Sequence, residues 1–66
     1  MTPDALRSLR VSHNLSQDDM ARLAEIRVRS YQRYESGERH ISRPVWKLLQ
    51  IRLAALDMED EQRGGL

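Results

Sequence analysis

Apolar positions recur along the chain in four runs of helical period, separated by short polar breaks. In the first run Leu6, Leu9 and His13 fall at helical spacing, with Val11 off the stripe. Such spacing marks an amphipathic helix. Thr2-Pro3-Asp4 supplies a start. Thr2 can cap, Pro3 needs no amide partner in the first turn, and Asp4 sits at the positive end of the helix dipole. Asn14 tolerates the left-handed backbone of a C-terminal cap. These signals predict a helix over about 3–13.

Ser16 opens the second run. Ser16 and Asp19 have the spacing of a capping box, with aspartate in place of the usual Glu or Gln, and Leu15 and Met20 take the positions of a hydrophobic staple. The predicted helix covers 17–24, and its Ala21 and Ala24 leave room for a neighbouring helix. Glu25-Ile26-Arg27 forms a tight connection. A third helix is predicted over 28–36, ended by Gly37 as a glycine after a helix does. Its Tyr31 and Tyr34 share the inward side; Arg29, Gln32, Arg33 and Ser36 fall on the other. Ser42 can cap a fourth helix over 43–56 that accepts Pro44 in its first turn. The fold class is therefore all-α: a small bundle of four helices, or five if the last one breaks. Residues 57–66 are acidic, end in Gly-Gly-Leu, and are expected to be a disordered tail.

The fourth run changes the picture. Between Val45 and Leu56 only Lys47, Gln50 and Arg52 are polar. At about 100° per residue the apolar sector spans about 220°, where a helix covering one small core needs a stripe nearer 100°. The surplus calls for a second copy of the chain, or for a helix fully enclosed by its own domain, which so short a chain can hardly provide. The expected dimer interface is Trp46, Leu49, Leu53 and Leu56.

Composition then narrows the chemistry. Sixty-six residues allow one domain. With no cysteine there is neither a disulfide nor a thiolate metal site, and two histidines are too few to suggest a metal. No metal, cofactor or small-molecule ligand is expected. No apolar run approaches the roughly 20 residues of a membrane span, and no signal peptide is expected, so the anticipated location is cytoplasmic. The net charge of +1 hides an asymmetry: residues 1–56 carry a net +4 and residues 57–66 a net −3. Of the eleven cations only Lys47 is not arginine. Arginine's planar fork suits phosphate and base edges, but arginine is also simply a good helix former, and composition leaves both readings open.

A short helix presenting Arg29, Gln32 and Arg33 outward fits a groove about 12 Å wide, and arginine on the guanine edge is the commonest specific contact to a base. Val28 could touch a thymine methyl. Ser30 and the first amides of this helix can bind phosphate. Gln17 can brace the DNA backbone or the next helix, and Arg27, Arg39 and Arg43 are further phosphate candidates.

Leu15 to Gly37 resembles the helix-turn-helix of the Cro/cI-like repressors, the xenobiotic-response-element family. Leu15, Ser16, Gln17, Met20, Ala21, Ile26, Tyr31, Tyr34, Glu35 and Gly37 match its pattern without a gap. The resemblance implies a lambda-repressor-like DNA-binding domain. Gln17 corresponds to a glutamine that bonds a DNA phosphate and buttresses the recognition helix. Val28, Arg29, Gln32 and Arg33 fall where the family reads bases. Arg10 and Glu35 fall where some members form an ion pair. The brevity of the chain is similar to phage and mobile-element regulators.

Two positions depart from the family pattern. Glu25 replaces the usual turn glycine, and Arg27 replaces the usual Ser or Thr cap. A side chain at positive φ is strained, so a turn of another shape is expected to shift the third helix. The implied partners are double-stranded DNA and a second copy of the chain, in a repressor on an inverted repeat. The rival is a protein-interaction module, such as an antitoxin built on the same fold. No nucleophile sits beside a base, so an enzyme is not expected.

Overall fold

In the computed structural model, which describes residues 1–64 and side chains through Glu59, four helices and no strand are present: α1 (Pro3–Ser12), α2 (Gln17–Leu23), α3 (Val28–Ser36) and α4 (Arg43–Gly64). Each start is closed by the residue the sequence suggests, except at α3. Thr2 Oγ1 accepts the Ala5 amide at 3.1 Å. Ser16 and Asp19 form the reciprocal box, Asp19 N to Ser16 Oγ at 3.0 Å and Ser16 N to Asp19 Oδ2 at 2.9 Å. The bond from the Ser16 amide, with the Ser16 hydroxyl beside it, holds the Asp19 carboxyl below its ordinary range. Ser42 Oγ accepts the Val45 amide at 3.4 Å. Arg27, at the start of α3, makes no capping bond.

The first two helices end in the same motif. After α1 the Leu15 amide reaches back to Arg10 O (3.2 Å) and the Asn14 amide to Val11 O (3.0 Å), with Asn14 at φ 56°. After α2 the Ile26 amide reaches Ala21 O (3.0 Å) and the Glu25 amide Arg22 O (3.1 Å), with Glu25 at φ 55°. Both are Schellman closures, which use a left-handed residue to satisfy the last carbonyls. The expectation of a differently shaped turn is thus corrected: Glu25 takes the left-handed backbone that glycine would take. Arg52 of α4 supports it, donating to Leu23 O at 2.8 Å and to Glu25 Oε2 at 3.0 Å.

The core is Leu6, Met20, Ala21, Ala24, Tyr31, Tyr34, Leu49 and Leu53, all buried. Helix α3 packs on α1 and α2, and α4 closes the bundle against α2. The staple is present, since Met20 is fully buried and Leu15 packs on the core beside it.

Two readings of α4 are corrected. Its expected end near Leu56 is passed, and the helix runs on through the acidic stretch to Gly64 in place of the expected disordered tail. Between Leu56 and Gly64 the sequence has neither proline nor glycine to stop it. Residues 65–66 of that tail lie outside the described residues. Leu49 and Leu53 are 0% and 4% exposed inside their own domain, and Trp46 and Leu56 pack on the same core, so these four do not form a free face. The inner part of the wide apolar sector is spent on this domain's α1–α3; the outward part is the exposed Ile51, Ala55 and Met58, with the partly buried Leu48 at its margin. No described helix is long and apolar enough to cross a membrane.

Candidate nucleic-acid interface

The tight turn held by Glu25 and Ile26 sets α3 across α2 with its tyrosines inward, so the opposite side of α3 is pushed to the surface. Arg29 and Gln32 stand there exposed, and Arg33 is partly so. Arg29 makes no side-chain hydrogen bond or ion pair among the described residues, so its fork is available. Arg33 is less so: its Nε lies 3.8 Å from Glu38 Oε2, a loose surface pair of little energetic weight that an incoming anion can replace. Val28 is half-buried against the core, which leaves only its edge outward. Ser30 is half-buried near the start of α3. Arg27, Arg39 and Arg43 are exposed.

Beneath the exposed row lies a polar network that fixes it. Arg10 Nε donates to Glu35 Oε2 at 2.6 Å and Arg10 Nη2 to Glu35 Oε1 at 3.2 Å. Arg10 Nη1 also donates to Leu15 O at 3.0 Å, tying the pair to the entry of α2. Glu35 Oε1 accepts from Gln17 Nε2 at 3.3 Å, and Gln17 Oε1 accepts from Gln32 Nε2 at 3.1 Å. The ion pair implied by the resemblance is therefore present, and it links α1, α2 and α3 in one chain of bonds. Gln17 braces the third helix through Gln32 as well as facing outward.

The pair is largely dry, with side-chain exposures of 16% for Arg10 and 6% for Glu35. Burial by itself would raise the Glu35 carboxyl, but the bonds from Arg10 and Gln17, with the Tyr31 phenol beside them, outweigh it and leave the carboxyl below its ordinary range. The same contact with Glu35 raises the Arg10 guanidinium. Burial, together with the neighbouring Glu35 charge, keeps the Tyr31 phenol protonated well above its usual range. Its hydroxyl is enclosed beside the pair without hydrogen-bond geometry to it.

Two shallow polar hollows, each about 250 Å³, flank the exposed row. One is lined by Arg29, Gln32, Arg33, Ser36 and Glu38. The other is lined by Arg7, Arg10, Gln17, Gln32, Glu35 and Ser36. Arg7 was missed by sequence reasoning. Its place one turn before Arg10 on α1, on the side that meets α3, was the signal. Arg52 was missed too, because a bond to a backbone carbonyl on another helix leaves no local trace. Of the predicted set, Gln17, Arg29, Gln32 and Arg33 are brought together on one surface. Arg39 and Arg43 stand beyond the end of α3 and line neither hollow, although the Arg39 amide donates to Arg33 O at 3.2 Å. Among the described residues no group of histidine and carboxylate side chains converges as a metal site requires.

This surface is exposed and cationic, an arrangement suited to lying in a groove. A family model described as Helix-turn-helix matches residues 6–56, which takes in most of α1, all of α2 and α3, and the first part of α4. Compared with curated proteins and with solved structures, the chain matches none.

Proposed function

The chain belongs to the Cro/cI-type helix-turn-helix family and carries its DNA-binding domain, and from that premise we propose that it is a homodimeric transcriptional repressor that reads an inverted-repeat operator in double-stranded DNA. The observation that carries this reading is the exposed row Arg29, Gln32 and Arg33 on a helix whose other side is locked by Tyr31, Tyr34 and the Glu35 network. A rod held this rigidly loses little freedom on entering the major groove, which favours specific over loose contact.

In this account Arg29 and Gln32 address base edges, and Arg33 joins them after releasing Glu38. Val28 contributes an apolar edge. Gln17, Ser30 and the first amides of α3 meet phosphate, helped by Arg27 and Arg7 at the margins of the row. Arg39 and Arg43 extend the phosphate track. Two copies related by a two-fold axis would place their α3 helices in successive grooves about 34 Å apart. Binding there would occlude a promoter, and concentration and operator affinity would set the response.

Fluorescence anisotropy with labelled duplex, repeated across salt concentrations, tests it. Arg29→Ala should weaken the preferred site by about 1–3 kcal/mol and relax preference at one base position. Arg43→Ala should weaken all duplexes alike and lower the salt slope by about one. Wild-type affinity in both variants would remove this surface from the account.

A further inference from the structure

Helix α4 carries a second apolar seam on the side away from the core. Leu48, Ile51, Ala55 and Met58 follow at spacings of three, four and three, the alternation by which a coiled-coil seam repeats. None of them packs on the domain's own core cluster. Ile51 and Met58 are 59% and 61% exposed, and Val11 and Met1 are the only other large apolar residues so exposed among those described. A helix of 22 residues is about 33 Å long, most of the length of a molecule that measures 43 Å along its longest axis against 19 Å across.

Charge decides what lies on the seam. Arg43 and Lys47 mark the first half of α4, and Asp57 and Glu59 the second. A parallel partner would set like charges beside like; an antiparallel copy sets the cationic half of each helix beside the acidic half of the other. We propose that α4 pairs antiparallel with α4 of a second copy through Leu48, Ile51, Ala55 and Met58. The two-fold axis then passes between Ile51 and Ala55, so that Leu48 of one copy meets Met58 of the other and Ile51 meets Ala55. Small domains gain most from such a partner, because their own cores are marginal. The proposal rests on the dimeric DNA-binding reading above and replaces the core-facing residues Leu49 and Leu53 with an outward set.

The test uses the full chain. Sedimentation equilibrium should show a dimer. Ile51→Glu and Met58→Glu each alter both sides of a symmetric interface, so each should raise the dissociation constant roughly a hundredfold. Both positions are exposed, so circular dichroism should show unchanged helix content. Because the chain has no cysteine, Leu48→Cys chains and Met58→Cys chains can be oxidised separately and mixed. A disulfide dimer should form efficiently only in the mixture. A disulfide in Leu48→Cys alone overturns the antiparallel arrangement. A dimer that survives both glutamate variants overturns the seam while leaving DNA reading intact. A wild-type monomer at every concentration, with or without duplex, also overturns it and leaves the face to another protein's helix. If instead the seam behaves as expected and no duplex is preferred, the DNA reading fails alone.

Discussion

Replacing Glu35 by leucine probes the network under the recognition surface most sharply. The variant keeps the side chain's approximate volume but strands Arg10, whose side chain is 16% exposed and whose guanidinium retains only its 3.0 Å bond to Leu15 O. Unit charges about 4 Å apart attract by about 4 kcal/mol at an effective dielectric near 20. A fully buried pair costs about 3–5 kcal/mol to break from one side. Arg10 keeps some access to water, so about 2–4 kcal/mol is expected here. A chain of 66 residues has a total stability of roughly 3–10 kcal/mol, and each kcal/mol moves the melting point by about 4–8 °C. Glu35→Leu should therefore lower the midpoint by about 10–25 °C. Arg10→Met should do similar harm, whereas the two together should cost much less than their sum, because no lone charge remains. Urea unfolding followed by circular dichroism, run as a double-mutant cycle, reads the coupling. Additivity within about 0.5 kcal/mol would refute the reasoning.

Acid should find the same network. The Glu35 carboxyl lies below its ordinary value of 4.5, so its contribution is complete above that value and is lost as pH falls through the lower folded one. Melting points measured from pH 6 downward should fall below about pH 4.5 in the wild type and fall less steeply in Glu35→Gln. In the turn, Glu25→Val puts a β-branched side chain at φ 55° and should cost about 1–3 kcal/mol by urea titration. Arg52→Met removes the bond to Leu23 O and the partner of Glu25 together, and should cost about 1–2 kcal/mol. Gly37→Ala, at φ 82° and with its added carbon about 3.4 Å from Pro3 Cγ, should cost about 1 kcal/mol, read as a lower urea midpoint.

The sequence was most legible where local chemistry decides the outcome. Thr2, Ser16 and Gly37 mark helix ends because each satisfies backbone groups within its own turn. The outward row Arg29, Gln32 and Arg33 follows from the inward pull of Tyr31 and Tyr34. Legibility failed where distant segments decide. Glu25 breaks the glycine rule for a left-handed turn, and its support comes from Arg52 on another helix. The wide apolar sector of α4 was visible, but the wheel alone cannot say which part meets the domain's own core. Leu49 and Leu53 point inward because α4 docks on α2, and only that docking frees Leu48, Ile51, Ala55 and Met58. The acidic stretch after Leu56 reads as a solvated tail by composition, yet nothing in it breaks the helix it continues.

The central claim is that α3 reads base edges as a symmetric pair. Selecting bound duplexes from a random pool with wild-type chain and with Arg29→Ala, then sequencing them, tests it most directly. The account predicts an inverted repeat with half-site centres about one helical turn apart, and a loss of preference at one mirrored base position in the variant. Enrichment of no sequence, or an identical motif for both chains, would contradict it.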